Sequence, residues 1–135
     1  MSTSGVVLTL FISWMLFLLV LMEVLRSQLV VTGRTPANAF QPDNANLSPF
    51  MQRLARAHAN CVESFPVIGG LLVVALVTDR SAITDSLAPW LMLARVIQSG
   101  IHLVSLSEIA VTARFTAFAV QIGIAVYWAW ALLSS

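Results

Sequence analysis

The sequence predicts an all-α integral membrane protein, a bundle of four transmembrane helices forming one domain over residues 1–135. Three observations predict it. Of the 135 residues, 59% are hydrophobic and only 10% charged, with mean hydropathy +0.89, whereas soluble domains carry about 25% charged residues. Four apolar segments approach the roughly 20 residues that cross a hydrocarbon core. The few polar residues inside those segments recur at helical spacing. So short a chain leaves no room for a separate soluble catalytic domain, and a net charge of +1 implies no nucleic-acid partner.

The first helix is expected at about 5–26. Gly5 to Met22 is an uncharged run of 18 residues, closed by Glu23 and Arg26. The start, Met1-Ser-Thr-Ser-Gly5, lacks the basic region of a signal peptide, and the apolar run is long for one, so this segment is read as a retained helix. Residues 27–48 form the longest loop, marked by Gly33, Pro36, Asn38, Pro42, Asp43, Asn44 and Asn46. Ser48 before Pro49 reads as an N-cap with proline at the first helical position, opening a second helix over 49–78. A short loop near 79–85 leads to a third helix over 87–107, in which Arg95 and His102 are the titratable groups. A tight turn precedes the fourth helix, 112–133, within the uncharged run of 21 residues from Phe115 to Ser135.

With four spans, the first and third loops share one side, and the termini and second loop share the other. Arg26, Arg34, Arg53, Arg56 and Arg114 belong to the first side, against Arg80 alone on the second. The positive-inside rule places the first side in the cytoplasm and the termini outside. In a bacterium this is the inner membrane.

The second helix begins with a polar stripe. Arg53, Arg56, Asn60, Glu63 and Val67 advance by 3, 4, 3 and 4 residues along one face. Charges at membrane depth cost about 2.5–3.5 kcal/mol each on insertion scales, so they point to function. In the third helix Arg95, Gln98 and His102 share a face, continued by Ser105. Arg95 lies well inside the core, and Glu63 is the carboxylate expected to pair with it, within the chain or across a subunit boundary. All seven basic residues are arginines, whose planar forks suit carboxylates. Arg26, Arg53 and Arg56 also fit a simpler role as interfacial anchors to lipid phosphates. Cys61, the only cysteine, reads as a packing residue, and His58, about 200° round from Arg56, reads as an interfacial partner. No multi-cysteine metal site is available.

Arg56-Ala-His58-Ala-Asn60-Cys61-Val-Glu63-Ser-Phe-Pro66 resembles the pattern R-A-H-x-N-x-x-E-x-x-P of the membrane-associated proteins in eicosanoid and glutathione metabolism. The resemblance extends over the whole chain, with four helices, a long first loop and the third-helix Arg95. It implies a homotrimer that binds glutathione between subunits near the cytoplasmic side and admits a lipophilic small-molecule substrate from the membrane lipids. Carried over by position, Arg56, Asn60 and Glu63 contact the tripeptide and Arg95 braces Glu63. Arg114 approaches the thiol and Arg26 is a further candidate. The implied reaction is transfer of the thiol to an electrophile, or reduction or isomerisation of a peroxide or epoxide.

One departure bears on catalysis. Active relatives carry a tyrosine seven residues after the third-helix arginine, where this chain has His102. A hydroxyl-bearing aromatic near the start of the fourth helix is matched by Phe118, and Tyr127 lies about 20 Å along from Arg114. Thiolate stabilisation therefore falls to His102 and Arg114. The alternatives are a non-catalytic membrane protein of the same fold, or a small proton-coupled four-helix transporter using Glu63.

Overall fold

The computed structural model describes residues 1–135. It is all-helical: α1 Thr3–Val31, α2 Pro49–Val77, α3 Ser81–Asp85, α4 Ala88–Val104 and α5 Glu108–Ser134. Three of these, α1, α2 and α5, are long and apolar enough to cross a membrane. Their outer faces carry Leu10, Leu16, Phe17, Val20, Val73, Val74, Ile122 and Val126, uncovered by the rest of the chain. Helices apolar on every side belong in lipid or a protein interior.

The expected N-cap at Ser48 is present: its hydroxyl accepts from the Met51 N–H at 3.3 Å, with Pro49 following. Ser2 and Ser107 cap α1 and α5 in the same way. The first helix runs five residues past its expected end, through Val31. Arg26 closes the apolar run but does not break the helix; Gly33 does, with φ +72°. The Gly33 N–H donates to the Val30 carbonyl and the Arg34 N–H to the Leu29 carbonyl, the double bond of a Schellman cap. Asp79, at φ 56°, closes α2 by the same pattern onto Leu76 and Ala75. The third helix stops at Val104, where Ser105 turns extended.

The α2–α4 pair forms the centre, with α1 and α5 on opposite sides and not touching one another. The core comprises Phe11, Leu18, Leu54, Cys61, Ile68, Leu72, Leu91 and Trp128, all fully buried. Phe65 covers Gly69, where an added Cβ would meet its ring at 2.7 Å, and packs tilted against Phe11 at 5.4 Å between ring centroids. The termini and the α2–α4 connection lie at one end of the bundle. There Ser4 donates through its N–H to Asp85 at 2.8 Å, and Arg80 reaches the Ser135 carbonyl at 2.6 Å. At the other end Arg53 donates to the Leu103 carbonyl at 3.0 Å, tying α2 to the last turn of α4.

Candidate functional site

α2, α4 and α5 each contribute one face to a polar cluster in the arginine-rich half. Leu91, Arg95, Gln98 and His102 point inward from α4, and Arg114, Phe118, Gln121, Ala125 and Trp128 follow a 4-3-4-3 spacing on α5. From α2 the buried row is Ala57, Cys61, Ser64 and Ile68, with Asn60 at its edge.

Arg95 is fully buried. Its Nη1 donates to Asn60 Oδ1 at 2.6 Å and its Nη2 to Ser64 Oγ at 2.7 Å. The guanidinium lies over the rings of Phe11 and Phe118, at 5.4 and 5.9 Å from their centroids. The expected Glu63–Arg95 contact is therefore not formed within the chain. Successive helical residues lie 100° apart. Arg95 meets the Asn60–Ser64 edge, while Glu63 turns outward and is exposed. Nor does Arg95 show any surface that a neighbouring carboxylate could approach. Neutral dipoles and aromatic faces solvate this cation, and the only ion pair in the chain is Arg26–Glu23 at 3.4 Å.

The other expected residues divide into two groups. Asn60, His102 and Arg114 come together: Arg114 Nη1 lies 3.1 Å from His102 Nδ1. A guanidinium has only donors, so Nδ1 accepts and the proton of the neutral ring resides on Nε2. Arg56 and Glu63 occupy the exposed face of α2 with no partner in the chain. Arg56 borders a separate cleft of about 310 Å³ with Asp43 and Gln52. Arg26 is engaged elsewhere. It donates to Asn44 Oδ1 at 2.6 Å and to the Gln41 carbonyl at 3.0 Å, and lies over Phe40. Asn44, fully buried, passes the connection to the Met51 carbonyl at 2.8 Å, so Arg26 pins the first loop to α2. His58 is half-buried, and Cys61 packs with its Sγ 3.4 Å from Ser99 Oγ.

Three adjoining spaces open between α2 and α5. A cavity of about 260 Å³ is bordered by Asn60, Gln98, His102, Arg114, Phe115 and Phe118. It shares Asn60 and Phe118 with one of about 150 Å³ that adds Glu63, Ser64, Val67 and Ile122. Val67 and Ile122 then begin an apolar groove of about 480 Å³ that continues along Gly70, Val74, Ala125 and Ala129. The seam is polar and donor-rich at the arginine end and apolar at the other.

Two participants escaped the sequence reading. Ser64 was hidden because it belongs to the uncharged stretch after Glu63, although it falls four residues beyond Asn60 on the buried side. Gln121 lies in the otherwise uncharged fourth segment, seven residues after Arg114, and that spacing was the available signal. No curated protein and no solved structure matches the chain. The model of the MAPEG family matches residues 4–134, and with apolar helices of spanning length the chain is a multi-pass membrane protein belonging to that family.

Proposed function

We propose that the protein is a glutathione-binding membrane enzyme, with α4 as a fourth span and a homotrimer as its assembly. The observation that carries this reading is the seam, whose donor-rich end runs directly into an apolar groove open toward lipid. Glutathione brings two carboxylates, an ammonium and a thiol. Arg56 and Arg114 suit its anionic groups through charge-assisted bonds, and Glu63 suits the ammonium. The thiol has an ordinary pKa near 8.5, which nearby cations and donors lower. Arg114 and the Nε2–H of His102 are the donors available to a thiolate. The thiolate attacks an electrophilic carbon lying in the groove and a C–S bond forms. The displaced electron pair moves to the leaving atom, which then takes a proton.

α4 has 17 residues, about 25 Å at 1.5 Å each, and packs against all three long helices, which supports a fourth crossing. Arg56 and Glu63, polar and unpartnered on an outer face, support completion of the site by a neighbouring chain. The five arginines at one end support a cytoplasmic placement of that end in the inner membrane.

Equilibrium binding of glutathione to the purified protein in detergent tests the reading. Saturable binding that Arg56→Ala weakens at least tenfold is expected, and His102→Phe is expected to bind but lose the thiolate absorbance. No binding at several millimolar sinks the proposal in favour of a non-catalytic relative. Glu63 has no ion-pair partner within the chain, which keeps the proton-coupled transporter as the second reading. The family match over nearly the whole chain favours the enzyme.

A further inference from the structure

The Asn60 amide is held in one orientation by a chain of bonds that begins at Arg95. Arg95 has donors only, so the atom facing its Nη1 at 2.6 Å is the Asn60 oxygen. Gln98 Nε2 donates to the same oxygen at 2.9 Å, which turns Gln98 Oε1 the other way. That oxygen accepts from Gln121 Nε2 at 2.9 Å, and Gln121 Nε2 is anchored again on the Ala117 carbonyl at 3.1 Å. Every amide in the row is thus oriented from one end. Gln98 and Gln121 are buried, and Asn60 borders both polar cavities of the seam. With its oxygen doubly occupied, Asn60 has only its two N–H bonds left for a ligand.

We propose that Gln98 and Gln121 are positioning residues that make Asn60 a donor-only group, so the ligand must place an acceptor there: a carboxylate, peptide carbonyl or thiolate. The ammonium of an amino-acid-like ligand is excluded from this point and is left to Glu63. Around the cavity of about 260 Å³, Asn60, Arg114 and His102 Nε2–H then present donors, while the Glu63 carboxylate borders the adjoining one. The proposal deepens the glutathione reading and rests on it for the identity of the ligand, while the orientation of Asn60 stands on its own geometry.

Gln98→Glu tests it. A carboxylate at 98 still accepts from Gln121 and stands across the Asn60 oxygen from the Arg95 cation, so a folded protein is expected, checked by its melting temperature. It cannot donate to Asn60, and it competes for the Asn60 N–H bonds. Glutathione affinity should fall at least tenfold. Gln98→Met, which leaves Arg95 holding the oxygen, should lose less affinity although it loses more stability. That inversion is not produced by a merely structural role, in which affinity follows stability. In protein labelled with ¹⁵N-asparagine, the Asn60 side-chain resonances are identified by their loss in Asn60→Asp. They should move in Gln98→Glu. Resonances that stay in place overturn the proposal whether or not glutathione binds. Moved resonances in a protein that binds no glutathione uphold the orientation and refute the ligand. Wild-type binding with unweakened Gln98→Glu binding refutes the positioning role.

Discussion

Arg95 sets the terms for the residues around it. A buried guanidinium normally finds a carboxylate, because an isolated charge in an apolar interior is costly; here it finds Asn60, Ser64 and two aromatic faces. Two consequences follow for stability. Removing the cation by Arg95→Leu takes one charge-assisted bond from the Asn60 oxygen, which keeps its Gln98 donor, and one from the Ser64 hydroxyl, which still donates to the Asn60 carbonyl, and each lost bond costs about 1.5–3 kcal/mol. Glu63→Gln breaks no bond and should change stability by less than about 0.5 kcal/mol, as exposed substitutions usually do. The two effects should add in the double mutant, measured by thermal unfolding in detergent. Strong non-additivity would mean that the residues meet in the assembled protein. The stripes on α2 and α4 were legible because spacing assigns residues to faces. Which member of a stripe meets Arg95 was not, because Asn60, Glu63 and Ser64 fall within four residues on neighbouring faces, and only the packing of α4 against α2 selects among them.

The ends of the helices show which local signals carry authority. Ser48-Pro49 determines the start of α2 by side-chain geometry that a sequence displays directly, whereas α5, expected from 112, begins four residues earlier at Glu108 behind the Ser107 cap. α1 passes Arg26 because a charged residue does not stop a helix, and it ends where Gly33 adopts positive φ. Gly33 has open space around the position of a Cβ, so replacement by alanine meets no clash and pays only the left-handed backbone cost, about 1–2 kcal/mol. Gly33→Ala should lower stability by about that amount while leaving ligand binding unchanged, since the cap lies away from the seam. A larger loss, or lost binding, would show that the first loop depends on the cap for more than its entry angle. That loop is also held by Arg26, Asn44 and the Met51 carbonyl. The sequence offered Arg26 as a charge near a helix end and gave no sign that an asparagine eighteen residues away would receive it.

At the scale of the molecule, the bundle separates its polar work from its span. The termini, α3 and Arg80 occupy one end, and Arg26, Arg34, Arg53, Arg56 and Arg114 lie toward the other. In the proposed orientation the loop between α1 and α2 faces the cytoplasm and α3 faces outside. The chain offers a direct check, because its only cysteine, Cys61, is fully buried and contributes little background to thiol labelling. Asn38→Cys and Ala82→Cys place single accessible thiols on the first loop and on α3, at exposed positions without side-chain bonds. In intact cells carrying the protein in a bacterial inner membrane, a membrane-impermeant maleimide should label the thiol at 82 and reach the thiol at 38 only after lysis. The reverse pattern inverts the orientation and puts the arginine-rich end outside, away from the cytoplasmic glutathione pool. Labelling of both from one side would mean that α2 does not cross, because the two positions are separated by α2 alone and should lie on opposite faces whenever it spans.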